Sequence, residues 1–428
     1  MIHAEGADSI RKQGEDGDFV YPRYEENCIS NIPGAILDLF GVKNERKLPL
    51  EIGKGVDGEA SKVVLFVLDG FGYNQFLRYY RENKFLANLA EKGEVLPLTS
   101  VFPSQTTNAL TTLNTGLTPQ EHGLFECFVY LKEVGMIVNT LRFEPLGSRR
   151  RNELLERGFN PSILYKGKTI QATLGEAGVK TFVHVYISDA YSACSKILFN
   201  GSTIVPSLKS SDLIVNLRKT LEKTEGPAYF FVHLGNLDTI AHEYGPNSYE
   251  YSTELSVISY LLSKELVQKI NRKTAGETLL LVTADHGGVD IVPKDTTYLN
   301  GFPEVVENLQ QGNGGKKILP TGSPRDVFLH VKEDKLTETQ KLLTQKIGAK
   351  AQVVETKEAI KNGLFGLGDV GNEFFDRVGN LLILPYGNET VWFEHFKGRK
   401  FSLHGHHGGL NEDEMLVPLA VTQLSNLK

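Results

Sequence analysis

Apolar positions along the chain fall into two periods. Short, nearly unbroken apolar runs occur at residues 63–68, 181–187, 228–234, 279–282 and 416–421. Runs of this length, rich in Val, Leu and Phe, predict strands buried on both faces. Between them the spacing turns helical, over 74–92, 212–223 and 249–271. A short helix is predicted after Asn31 and Pro33, with Gly41 as its stop. Buried strands alternating with helices predict an α/β fold, a mostly parallel sheet sandwiched between helices.

Two stretches break this rhythm. Residues 1–27 are polar and charged and are expected to form a loose arm. Residues 292–375 combine a Gly/Asn loop (310–317), short strands (326–331, 352–355) and a polar helix (338–347). They predict a small α+β cap inserted into a catalytic core of 1–291 and 376–428.

Composition narrows the picture modestly. The chain has 428 residues and a net charge of −6, which argues against a stable nucleic-acid partner. Cys28, Cys127 and Cys194 are too few and too odd in number for a disulfide framework. No apolar stretch approaches the roughly 20 residues that span a bilayer, and the N-terminus lacks a basic segment followed by an apolar one. A cytoplasmic location without membrane association is expected.

The chemistry sits where the buried strands end. Residues 63–68 lead into Asp69-Gly70, and 279–282 lead through Thr283-Ala284 into Asp285-His286-Gly287-Gly288. The run 228–234 leads to Asp238 and His242, which at i and i+4 share a helical face. Before the last strand lies His404-Gly405-His406-His407-Gly408-Gly409. Hydroxyl residues crowd Ser104-Gln105-Thr106-Thr107, at a turn into a helix, where backbone N–H groups favour an anion. Three Asp, three His and one hydroxyl suit two ions with N/O ligands. Two such ions, roughly 3.5–4 Å apart, clamp the attacking and leaving oxygens of a phosphoryl transfer.

The order of these motifs resembles the alkaline phosphatase superfamily, in its type I phosphodiesterase/nucleotide pyrophosphatase family. The resemblance runs from residue 63 to the C-terminus and includes Thr115-Gly116, His122-Gly123 and His407-Gly408-Gly409-Leu410. It implies an alkaline-phosphatase-like fold, with Thr106 as nucleophile and Thr107 as its competitor. One ion would be held by Asp238, His242 and His407, with His404 and His406 as alternatives to His407. The other would be held by Asp69, Thr106, Asp285 and His286. Zinc is favoured over Mn, Mg or Fe. The implied activity is hydrolysis of a small phosphodiester or nucleotide through a phospho-threonine intermediate.

One position departs from the family. About twenty residues after the nucleophile the family places an Asn that donates to a phosphoryl oxygen, and this chain has Glu126. Glu126 is therefore a candidate substrate-binding residue, and Asn108 a substitute donor. A phosphomonoesterase is the main rival, with Arg142 and Arg149-Arg150-Arg151 as candidate dianion partners. A non-catalytic binding protein on the same fold is the weaker one, because all seven ligands are present.

Overall fold

A computed structural model describes residues 1–11, 19–48 and 60–428. Its centre is a seven-stranded sheet: β1 (Lys62–Leu68), β2 (Glu94–Thr99), β3 (Lys180–Tyr186), β4 (Thr203–Ser207), β5 (Ala228–Leu234), β6 (Thr278–Thr283) and β7 (Leu416–Gln423). The spatial order is β2-β7-β6-β1-β5-β3-β4. Strands β6, β1, β5, β3 and β4 pair in parallel, while β7 runs antiparallel to both β6 and β2. Every residue of β1, β5 and β6 is buried, as their unbroken apolar runs require. Strands β2 and β4 were not anticipated. Pro97 and Pro206 lie within them, on the outermost strands, where a missing N–H is tolerated.

Helix boundaries follow the sequence less closely. The predicted helix over 74–92 is two helices, Tyr73–Tyr79 and Lys84–Lys92, joined by a turn. Asn83 breaks it: its backbone is extended (φ −114°, ψ 107°) and its amide donates to the Tyr79 carbonyl. The stretch 249–271 is α-helical over Tyr249–Leu261 and widens into a π-helical turn over Leu262–Val267.

The expected loose arm is in part docked. Ala4–Arg11 is helical, Ala7 and Ile10 are buried, and Ile2 bridges to Val95 of β2. The middle of the arm, 12–18, lies outside the described residues.

The insert has its own core. Thr321–Ser323, Asp326–Leu329, Leu381–Pro385 and Ala351–Glu355 form an antiparallel sheet. Leu343 and Ile347 of helix Leu336–Ile347 join Val353, Leu381 and Ile383 in one apolar cluster. This sheet takes in Leu381–Pro385, beyond the expected boundary at 375. Leu381 and Ile383 of that strand are buried in the insert's apolar cluster with Leu343 and Ile347, which ties the strand to this sheet. The insert is clamped to the core by Arg325 and Glu414, both fully buried. Arg325 Nε and Nη2 donate to the two Glu414 carboxylate oxygens at 3.0 and 2.8 Å.

Candidate metal centre and active site

Register delivers the first ligands. Leu68 of β1 lies beside Leu234 of β5, and Val67 beside Thr283 of β6, so Asp69, Gly235 and Asp285 leave the sheet at one edge. Ligands bind beyond the carboxyl ends of strands in such sheets. At Gly70 (φ +73°) a Cβ would come within 3.1 Å of the Asp238 Cα and Cβ, so only glycine lets the two ligand segments approach.

Each carboxylate at the strand tips is half used. Asp285 Oδ1 accepts from the backbone N–H groups of Gly70 (3.1 Å) and His286 (3.0 Å), while its buried Oδ2 has no hydrogen-bond partner. Asp69 Oδ2 accepts from His233 Nε2 at 3.0 Å, and its Oδ1 is buried without a partner. His286 Nε2 lies 3.5 Å from Asp69 Oδ1 and 3.4 Å from Asp285 Oδ2. Asp69, Asp285 and His286 thus converge on one point.

A second convergence adjoins it. Helix Asn236–Tyr244 carries Asp238 and His242 one turn apart. His242 Nε2 is 3.3 Å from Asp238 Oδ2, His407 Nε2 is 3.6 Å from Asp238 Oδ1, and the two Nε2 atoms are 3.2 Å apart. The His407 ring stacks on that of His286 with centroids 3.6 Å apart, which joins the two groups.

The imidazoles share one arrangement. His286 Nδ1 donates to the Gly287 carbonyl (2.8 Å), His242 Nδ1 to Gly405 (2.9 Å) and His407 Nδ1 to Ser104 (2.9 Å). A carbonyl only accepts, so each Nδ1 carries the hydrogen and each Nε2 presents a lone pair to the cluster. Burial, followed by the His286 and His242 charges, pushes His407 well below the usual imidazole range. Burial, followed by Asp285 and Asp238, pushes Asp69 well above the usual carboxylate range. Lone pairs facing lone pairs, beside orphaned carboxylate oxygens, fit two divalent cations in chemistry and number.

Thr106 opens helix Thr106–Thr115, with its Oγ1 3.1 Å from His286 Nε2. The hydroxyl stands at a helix N-terminus, beside the ligand cluster. Thr107 faces elsewhere: it is buried, 3.0 Å from Cys127 Sγ and 3.4 Å from Thr140 Oγ1. The His407 turn is held closely, since a Cβ at Gly408 (φ +122°) would lie 2.3 Å from Gln105 Nε2 and 2.5 Å from Asp326 Oδ1. His404 is exposed and bonded to the Glu243 carbonyl. His406 Nδ1 is bonded to the His407 carbonyl. Of the three, only His407 joins the ligand cluster.

Asn108 stays outside the site. Its amide donates to the Pro103 carbonyl at 2.7 Å and it is fully buried, so it secures the turn before Thr106. Glu126 does line the cavity at Thr106. Its Oε1 accepts from Cys127 N (2.7 Å), its Oε2 is buried without a donor, and the carboxyl of Asp326 is its electrostatic neighbour. Burial pushes Glu126 up to about 7 and, with the Glu126 charge, pushes Asp326 well above its usual range. Burial favours the protonated carboxyl at both positions. Arg142 is paired with Glu144 (2.7 Å) and Arg151 with Asp189 (3.1 Å), so neither guanidinium is free.

Three neighbours of the site lie outside the motifs: His233, Asp326 and Gln105. His233 had a signal, an imidazole inside an otherwise apolar strand. Asp326 had none, since only the packing of the insert brings it to Glu126.

The chain resembles known proteins in sequence and in fold. Residues 63–410 match the family described as type I phosphodiesterase / nucleotide pyrophosphatase. An uncharacterized pyrophosphatase/phosphodiesterase of Schizosaccharomyces pombe is 25% identical, over 53% of this chain and 44% of its own length. A venom phosphodiesterase of Crotalus durissus collilineatus is 23% identical over 63% of this chain and 31% of its own. Human ectonucleotide pyrophosphatase/phosphodiesterase family member 1 is 26% identical over 59% and 26%. The matches therefore span less than half of each of these relatives. In fold, the murine ectonucleotide pyrophosphatase/phosphodiesterase 5 superposes with a TM-score of 0.61, at 18% identity, over 84% of this chain and 87% of that one. An inactive form of that murine protein, carrying a threonine-to-alanine substitution and in complex with AMP, superposes equally well.

Proposed function

The chain belongs to the type I phosphodiesterase/nucleotide pyrophosphatase family, and from that premise we propose that it hydrolyses small phosphodiesters or nucleotide phosphoanhydrides through a phospho-threonine intermediate on Thr106. The observation that carries the reading is Thr106 Oγ1, placed at a helix N-terminus 3.1 Å from His286 Nε2 and beside two convergent N/O donor sets. Asp69, Asp285, His286 and Thr106 would hold one divalent ion, and Asp238, His242 and His407 the other. Bound there, the ions supply Lewis-acid stabilisation of the phosphoryl oxygens and favour the ionised hydroxyl, with zinc the natural fit to these donors.

The residues do the rest. Thr106 Oγ1 loses its proton to solvent and attacks phosphorus, and the bond to the leaving ester oxygen breaks in line. Water then attacks the phospho-threonine and releases a monoester. The carbonyls of Gly287, Gly405 and Ser104 fix the three imidazoles in the tautomer that binds cations. The AMP held by the murine neighbour supports a nucleotide as the substrate class.

A paired assay tests this on metal-loaded protein, with bis(p-nitrophenyl) phosphate and p-nitrophenyl phosphate. We expect faster turnover of the diester, lost in Thr106→Ala. Faster turnover of the monoester would move the protein to the phosphomonoesterase class. Full activity in Thr106→Ala would remove Thr106 from the chemistry.

A further inference from the structure

The bonds that orient the donors differ in kind. Asp285 Oδ1 is held by the backbone N–H groups of Gly70 and His286. The imidazoles of His286, His242 and His407 are held by the backbone carbonyls of Gly287, Gly405 and Ser104. Asp69 differs. Its Oδ2 accepts from a side chain, His233 Nε2, at 3.0 Å.

His233 stands where an imidazole is destabilising unless its N–H is used. It is the penultimate residue of β5, whose other members are Ala, Tyr, Phe, Phe, Val and Leu, and the whole strand is buried. Sheet register explains the meeting with Asp69. His233 lies beside Val67 of β1, two residues before Asp69, so the ring reaches the carboxylate at the strand ends. A carboxylate only accepts, so Nε2 carries the hydrogen. With Oδ2 engaged in this way, Asp69 Oδ1 is left buried and without a partner, 3.5 Å from His286 Nε2. One carboxylate oxygen faces the donor cluster and the other faces His233. The ring also borders the cavity of about 280 Å³ beside Thr106. A direct contact with substrate is therefore the competing role, and metal binding without substrate separates the two.

We propose that His233 is a positioning residue for the strand-tip ion: by holding Asp69 Oδ2 it commits Asp69 to ligation through Oδ1 alone. This role rests on the two-ion reading above. A carboxylate that ligates through one oxygen takes one position on the ion and leaves others for Thr106 and a phosphoryl oxygen. An outer partner of this kind also fixes the ligand's orientation before the ion arrives, which raises affinity.

The test is a titration of metal-free protein with zinc ion alone, followed by calorimetry. His233→Phe and His233→Leu keep an apolar body in the strand and remove the donor, while His233→Gln keeps an N–H. The strand-tip site is identified as the one lost in Asp285→Ala. In the parent we expect two bound ions. In His233→Phe and His233→Leu the strand-tip affinity should fall about 10–100-fold, the range for an outer-shell partner, with the other site unchanged. His233→Gln should recover most of the loss. Diesterase activity lost in His233→Phe should return with excess zinc, which a substrate contact would not show. Thermal melts of the metal-free forms confirm that each variant folds. Unchanged strand-tip affinity in the donorless variants, equal loss at both sites, or no recovery in His233→Gln overturns the role. The two readings fail separately. A parent that binds no ion at Asp69 and Asp285 removes the two-ion reading and this role with it. A parent that binds two ions, with His233→Phe unaltered, removes only the role of His233.

Discussion

The two donor sets share their chemistry and differ in their mechanical support. Asp69, Asp285 and His286 stand on the tips of adjacent parallel strands, with side chains 7%, 0% and 0% exposed. Asp238 and His242 stand on one turn of a helix, 15% and 24% exposed, and their third partner, His407, stands on a glycine turn. The sheet's hydrogen bonds fix the first set, because register alone decides where the strand ends fall. The second set is fixed by tertiary contacts: the Ser104 carbonyl on His407, and the Arg325–Glu414 clamp beside the turn. Glu414 also accepts from the Gly409 and Asn411 N–H groups, so the clamp and the His407 turn are one unit. A site can thus combine a donor set rigid by topology with one whose geometry depends on an ion pair between core and insert.

The comparison breaks most severely at His286, a member of the strand-tip set whose ring stacks on His407 and whose ligating nitrogen also lies within ligand distance of Asp238 and His407. His286→Ala should lower both bound ions and reduce diesterase activity by more than about 100-fold, beyond the range usual for an outer-shell partner. Elemental analysis beside a rate assay checks it. Retention of one full equivalent of metal would mean that His286 does not join the sets.

The clamp separates the sets. Arg325→Met leaves Glu414 as a buried, unpaired charge and should cost about 3–5 kcal/mol of stability. Replacing both partners with apolar residues should restore most of that stability in urea unfolding. The double variant should still bind the strand-tip ion and should lose affinity at the His407 side. Equal loss at both sites would contradict the distinction drawn above.

The smallest effect sharpens the wall between site and insert. Burial raises Glu126 from 4.5 to about 7. Between those values the folded state holds a proton that the unfolded chain has released, so this group's contribution to stability falls as pH rises from about 4.5 to 7. Cys127, Thr140, Gln105 and Ser323 surround Glu126 and Asp326 and carry no compensating positive charge. Glu126→Gln keeps the shape and removes the titration. Relative to the parent it should gain on the order of 1–3 kcal/mol between pH 5 and pH 8, read as a widening gap in urea midpoints. A gap independent of pH would show that Glu126 does not titrate in this range.

Much of this was legible in one dimension. A buried parallel strand needs an unbroken apolar run, so β1, β5 and β6 announce themselves, and the polar residues that end them stand out. Asp69, Asp285 and His286 could be named for that reason, and the i, i+4 spacing of Asp238 and His242 put them on one face. The insert was visible as a change of pattern. Its strand Leu381–Pro385 was not assigned to it, because an apolar run does not say which sheet it joins.

What the sequence determined by itself is the local part: where strands end, which residue types sit there, and which face of a turn they share. Those follow from backbone periodicity and short-range sterics. Packing, and no period or spacing in the chain, brings His407 and not His404 or His406 to Asp238, turns Thr107 to Cys127 and away from the donor sets, and sets Glu126 beside Asp326. These choices depend on long-range packing between the core and the insert, where the partner of a side chain lies hundreds of residues away and no period in the sequence records it.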